Sequence, residues 1–159
     1  MEFTKPKKIF IVYDDVMLTE ALSDYLTRKV PHQVSCYHTG EEALKHIGSN
    51  PEIIILDFYM NTVVKDASTG MEVLEAIHKN YPNTKVIMLS DQDSLETATN
   101  CINNGAYNYF SKNEVAFIRI NNSLVNIIES IEAAKKGVKL YQLAFVIIVL
   151  SFLMSYIFY

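Results

Sequence analysis

Pro51 to Met60 reads PEIIILDFYM. Ile53, Ile54, Ile55 and Leu56 form a continuous apolar run rather than an alternating one, the pattern of a strand covered on both faces and so of a parallel sheet between two helical layers. The run ends on Asp57. Taking an ionised carboxylate out of water is costly unless a partner offsets it. The stretch therefore demands a sheet buried on both sides and a polar partner at the carboxyl end of one strand.

Working outward, short β-branched runs alternate with segments of helical period. KIFIVY (8–13) precedes Leu18, Ala21, Leu22, Tyr25 and Leu26; HQVSCY (32–37) precedes Ala43, Leu44 and Ile47; EIIILD (52–57) precedes Met71, Val73, Leu74 and Ile77. KVIMLS (85–90) precedes Leu95, Ala98 and Ile102, and YNYF (107–110) precedes Phe117, Ile120, Leu124, Ile127 or Ile128, and Ile131. Five strand–helix units predict an α/β, doubly wound (βα)5 parallel sheet. Thr39 or Gly40, Ser68 or Thr69, and Asp93 or Ser94 are candidate helix starts, each with an acidic residue in the first turn. Gly48 and Gly105 stand where the second and fourth helices should stop. The stretch Tyr59–Thr69 is longer than most strand-to-helix connections.

The totals exclude several classes. A formal charge of −4, from 14 basic and 18 acidic residues, leaves no basic face for nucleic acid. Cys36 and Cys101 lie far apart with no second cysteine at zinc-ligand spacing, and both are expected to be small buried hydrophobes in a reducing compartment. The amino terminus, MEFTKPKK, does not resemble a secretory signal. One domain plus an appendage is expected.

In an open parallel sheet, ligands bind outside the carboxyl ends of the strands. The polar residues there are Asp14 and Asp15 after strand one, Asp57 after strand three, Ser90 after strand four and Lys112 after strand five. Carboxylates brought together repel, and a hard cation such as Mg²⁺ relieves this with oxygen ligands and water. A lysine and a hydroxyl opposite them suit an incoming anion, most simply a phosphoryl group. Taken singly, each has a plainer reading: Asp14 and Asp15 as caps of the first helix, Ser90 as a turn residue, Lys112 as a solvated lysine. Tyr109 alone reads as a core aromatic.

Together, IFIVYDD, IIILD, VIMLS and GAYNYFSK, in that order, resemble the receiver domain of two-component response regulators over about residues 5–134. The resemblance implies a flavodoxin-like strand order 2-1-3-4-5. It implies that Asp57 is the phosphoacceptor, charged by a sensor histidine kinase or phosphotransfer protein, with Mg²⁺ held by Asp15, Asp57 and the backbone carbonyl of Tyr59. Asp14 would orient metal-bound water, Lys112 would pair with the phosphoryl oxygens, Ser90 would move to bind them, and Tyr109 would follow as a switch. The readout would be a protein-binding surface on helix four, strand five and helix five, open to a downstream partner or to a homodimer. The chain is thus expected to be a stand-alone binding and signalling module and not an enzyme. An aspartate-dependent phosphatase would need a second aspartate two residues after Asp57, where Tyr59 stands. A phosphorylation-independent scaffold is the other alternative. Three features depart from the family: Asn61 replaces the usual proline and Gly70 arrives late; Asn113 replaces the proline after the lysine; and Tyr59, with Gln92 beside the path of hydrolytic water, is bulkier than the family's small polar residue, which predicts slow loss of phosphate.

From Leu140 to Tyr159 there is no charged side chain. At about 1.5 Å per residue the stretch spans about 30 Å, the thickness of a bilayer's hydrocarbon core. It is apolar all round, so a single transmembrane helix over 138–159 is expected. Lys135, Lys136 and Lys139 flank only its amino-terminal side, which places the receiver in the cytoplasm, anchored to the cell membrane by one pass. Tyr141, Tyr156 and Tyr159 would sit near the interfaces, and Gly137 would loosen the junction.

Overall fold

The computed structural model describes residues 6–29, 32–60 and 68–157, apart from the side chains of Lys29, Ser155 and Ile157. Asn61, most of the lengthened loop and Tyr159 lie outside the described residues. The elements are β1 (Lys8–Val12), α1 (Val16–Lys29), β2 (Gln33–Tyr37), α2 (Gly40–His46) with a 3₁₀ turn (Ile47–Ser49), β3 (Ile53–Asp57) and α3 (Gly70–Asn80). They continue with β4 (Lys85–Ser90), α4 (Leu95–Asn103), β5 (Asn108–Ser111) and α5 (Ala116–Ile157). All strand pairs are parallel and the order is β2-β1-β3-β4-β5, the expected doubly wound, flavodoxin-like sheet with helices on both faces.

The continuous apolar runs become the central strands. Every residue of β3 is buried, as are four of the five in β1 and five of the six in β4. The sheet's helical covers contribute Leu22 and Leu26 from α1, Ala43 from α2, Val73, Leu74 and Ile77 from α3, and Ile120 and Leu124 from α5. Burial of this kind stabilises by roughly 1.5–3 kcal/mol per large side chain. Asp57 lies opposite Leu89, and Phe58 N–H donates to Leu89 C=O at 2.8 Å, so the β3–β4 ladder runs past the strand end and fixes the site's floor.

The helix starts follow the capping signals. Thr39, Thr69 and Ser94 each accept a hydrogen bond from a first-turn N–H, and Thr69 completes a capping box with Glu72. Gly105 terminates α4 at φ +100°, where the His78 ring also leaves no room for a Cβ. Gly48 does not play that part after α2. The chain turns instead at Asn50, whose φ of 58° an asparagine tolerates.

Helical spacing misassigned some faces. In α1, Ala21 is exposed and Thr19 is buried, its hydroxyl donating to Asp15 C=O at 2.7 Å; a satisfied hydroxyl can replace an apolar group on a buried face. In α4, Cys101 is buried, whereas Leu95 is 84% exposed and Ile102 is also exposed. Cys36 is exposed on the edge strand β2, so only Cys101 behaves as the expected buried hydrophobe.

The chain divides into two units, one up to Leu124 and one from Val125 onward, with α5 crossing the division. The second unit is helical to Ile157, and from Leu140 every described side chain is exposed, including Phe145, Phe152 and Tyr156. By length and composition, this helix is long and apolar enough to cross a membrane.

Candidate functional site

β3 ends on Asp57 with its carboxyl group 1% exposed. Oδ1 accepts from Lys112 Nζ at 2.8 Å and, more weakly, from Tyr59 N–H at 3.4 Å. Among the described residues, Oδ2 is buried without a hydrogen-bond partner. Burial pushes Asp57 up to about 6, against the hydrogen bond and charge of Lys112 and the Tyr59 N–H, while the negative charge of Asp14 adds to the rise. The partner demanded by PEIIILD is therefore the ammonium of Lys112, 55 residues along the chain.

Lys112 reaches this position because its N–H donates to Ser90 C=O at 2.8 Å, extending the β4–β5 ladder one residue beyond the strands. Its ammonium also meets Asp91 Oδ2 at 3.1 Å and lies 4.2 Å from the centroid of the Tyr13 ring. Burial alone would lower its pKa, but Asp57, Tyr13 and Asp91 outweigh that and hold it above the ordinary lysine range. Behind it, Asn113 uses its side chain where a proline is usual: its Oδ1 accepts from Val115 N–H at 3.2 Å and its carbonyl from Ala116 N–H at 2.9 Å, turning the chain into α5.

Ser90 ends β4 fully buried, and its Oγ accepts from Gln92 N–H at 3.1 Å. Tyr109, on β5, is half-buried against the core, and its hydroxyl donates to Gln92 C=O at 2.6 Å. Burial pushes the phenol up, opposed by a hydrogen bond with Ser90. Ser90 and Tyr109 thus share one turn, held by Gln92. Asp57, Ser90 and Lys112 come to the carboxyl edge of three adjacent strands, with Tyr109 of β5 beside them.

Residues 9–124 match the family model of the response regulator receiver domain. The chain belongs to that family. A putative NtrX-like response regulator of Rickettsia typhi is 42% identical over 72 residues, covering 45% of this chain and 14% of the relative. The probable C4-dicarboxylate response regulator DctR of Bacillus subtilis is 33% identical over 110 residues, covering 68% of this chain and 46% of the relative. The chain therefore spans less than half the length of these curated relatives. Among solved structures, the signal receiver domain of a putative LuxO repressor protein from Vibrio parahaemolyticus superposes with a TM-score of 0.71 at 25% identity, covering 82% of this chain and 95% of that one.

Receivers hold Mg²⁺ beside the phosphorylation site, so the acidic pair of this receiver bears on the fit. Asp15 adopts the plainer role foreseen for it: its Oδ1 accepts from Leu18 N–H at 3.1 Å and caps α1, and the residue is exposed. Asp14 is half-buried and near enough for its charge to act on Asp57. Among the described residues, no three His, Cys, Asp or Glu side chains are grouped to hold a metal ion. Mg²⁺ needs fewer, since one or two carboxylates, a carbonyl and water complete its shell. The buried Oδ2 of Asp57, which has no hydrogen-bond partner among the described residues, is an oxygen able to ligate such a cation, and the residues fit the ion on that ground.

Sequence reasoning missed Tyr13 and Asp91 as partners of Lys112. Their signal was position: Tyr13 directly precedes the acidic pair, and Asp91 directly follows Ser90. It also missed how the lengthened loop closes. Gly70 N–H donates to Phe58 C=O at 3.1 Å, and a Cβ on Gly70 would run into the Asp57 carbonyl. Glu41 Oε1 accepts from Ser68 N–H at 2.6 Å, and hydrogen bonds from the Ser68 side chain and then its backbone hold the Glu41 carboxyl below the usual range. The late glycine therefore still returns to the end of β3.

Proposed function

We propose that this receiver is membrane-tethered and accepts a phosphoryl group on Asp57 from the phosphohistidine of a sensor histidine kinase or phosphotransfer protein, signalling through a protein-binding surface. The observation that carries this reading is the Asp57 carboxylate itself, buried, paired with Lys112 at 2.8 Å through one oxygen and, among the described residues, without a hydrogen-bond partner at the other. A group titrating at about 6 is mostly ionised at neutral pH, so it is both nucleophilic and poorly solvated. A carboxylate oxygen of Asp57 attacks phosphorus, the P–N bond breaks, and the imidazole leaves with its electron pair. Lys112 exchanges part of its contact with Asp57 for the new phosphoryl oxygens.

Asp15, Asp57 and the Tyr59 carbonyl would hold Mg²⁺, with Asp14 orienting its water, and the ion would supply positive charge against the phosphoryl oxygens. The added charge, about −1.5 to −2, draws the Ser90 hydroxyl and competes with the turn it now holds through Gln92. Tyr109, bonded to the same turn, is positioned to follow. Leu95, Ile102, Tyr107 and Ile118 are exposed on α4, the approach to β5 and α5, and form the apolar part of the readout surface for a downstream partner or a second copy.

The charge-free helix from Leu140 anchors the receiver, with Lys135, Lys136 and Lys139 on the cytoplasmic side and Tyr141 and Tyr156 toward the two interfaces. The test is intact mass measurement of the full chain in neutral detergent after incubation with acetyl phosphate and Mg²⁺. Wild type should gain the mass of one phosphoryl group and Asp57→Asn none. A folded wild type that gains nothing would count against the reading.

A further inference from the structure

Exposure rises step by step along the Lys112 ion pairs: the side chains of Asp57, Lys112 and Asp91 are 1%, 12% and 70% exposed. The ammonium bridges an inner carboxylate at 2.8 Å and an outer one at 3.1 Å, with the Tyr13 ring against it. An anion coming from solvent toward Asp57 and Lys112 thus meets the charge of Asp91 beside the cation it needs. From this geometry we infer that Asp91 is a specificity-determining residue, an outer counter-ion of Lys112 that discriminates against free, highly charged small phosphodonors. The inference rests on the reading of Asp57 as phosphoacceptor and adds to it a residue that none of the sequence motifs includes.

The step at issue is transfer from an acyl phosphate. A carboxylate oxygen of Asp57 forms a bond to phosphorus, the donor's own O–P bond breaks, and acetate leaves. The dianionic donor must approach against Asp91 and displace its contact with Lys112. A donor of lower net charge, such as phosphoramidate, meets less repulsion. A phosphohistidine presented on a protein brings docking contacts that compensate, so the outer carboxylate favours delivery by protein over delivery by metabolite.

The geometry sets the scale. One unit charge acting at about 5–6 Å through water on a dianion corresponds to roughly a tenfold rate difference at low salt, and about half that exponent on a monoanion. Screening removes most of it once the Debye length falls to a few ångströms, near 1 M salt. A residue that merely braced the fold would not show this dependence on salt and donor charge.

The experiment compares the full-length wild type, Asp91→Asn and Asp57→Asn in neutral detergent, following the phosphoryl adduct by mass with acetyl phosphate or phosphoramidate at low and high salt. Asp91 is exposed, so its substitution leaves the core intact. The expected result is a roughly tenfold faster reaction of Asp91→Asn with acetyl phosphate at low salt, a smaller gain with phosphoramidate, and convergence with wild type at high salt. If both chains react and Asp91→Asn is no faster, or its gain is indifferent to salt and donor charge, the role of Asp91 is overturned and Asp57 stands as acceptor. If neither chain reacts at all, the acceptor reading falls and the role of Asp91 with it.

Discussion

The buried carboxylate of Asp57 should leave a signature in the pH dependence of stability that no exposed carboxylate imitates. In the folded chain it titrates at about 6, against 3.8 for the unperturbed group. Between those values the folded state holds a proton that the unfolded state has released, so stability is highest below about pH 4 as far as this group is concerned. It declines as pH rises through the window and levels off above about 6. The interval of about two pH units corresponds to about 3 kcal/mol, or roughly 10 °C in melting temperature for a domain of this size. Asp57→Asn cannot titrate and removes this contribution. The assay is thermal unfolding of both full-length chains in neutral detergent with chelator, between pH 4 and 7. Titrations shared by the two chains, including that of Glu41, cancel in the difference. The stability of Asp57→Asn relative to wild type should grow by about 3 kcal/mol across the window. A constant difference, or one that shifts in favour of wild type as pH rises, would refute the reasoning that burial dominates this carboxyl.

Lys112→Met removes the charge that partly offsets that burial, so Asp57 should titrate higher by roughly one to three pH units; a carboxyl carbon titration by NMR checks this, and phosphoryl uptake at pH 7 should fall with it. Gly70→Ala drives a methyl group into the Asp57 carbonyl and should destabilise by roughly 1–3 kcal/mol, read as a lower urea midpoint. Tyr59→Asn opens the path of hydrolytic water, and its adduct should decay faster than that of wild type in a mass time course. Phe145→Arg with Ile148→Arg places two charges at the centre of the tail, each costing roughly 2.5–3.5 kcal/mol in a membrane, and should move the chain from the membrane fraction to the soluble one.

The fold was largely legible in the sequence because its signal is burial on two faces, and IIIL in β3 or VIML in β4 can satisfy only that. Capping was legible for a similar reason: Thr39, Thr69 and Ser94 each offer an oxygen where a helix leaves an N–H unpaired. The face of α4 was not, because helical spacing cannot tell a residue turned to the core from one turned to a partner, and Leu95 and Ile102 are exposed. At the site, Asp57 announced itself by the cost of its position, and Lys112 and Ser90 by standing at strand ends. Tyr13 and Asp91 touch the same ammonium, yet adjacency to the acidic pair and to Ser90 is the one local mark that sets them apart from any strand-end aromatic or loop carboxylate. Asp15 shows the converse, a residue whose local duty as a cap is visible in the structure beside the role that the family implies for it.

The central claim, that the carboxyl group of Asp57 is where phosphoryl transfer ends, is met most directly by trapping it. Hydride reduction after treatment with acetyl phosphate and Mg²⁺ converts an aspartyl phosphate to homoserine, and peptide mass mapping locates the change. The account predicts homoserine at position 57 and nowhere else; homoserine at another carboxylate, or none in a folded chain, would contradict it.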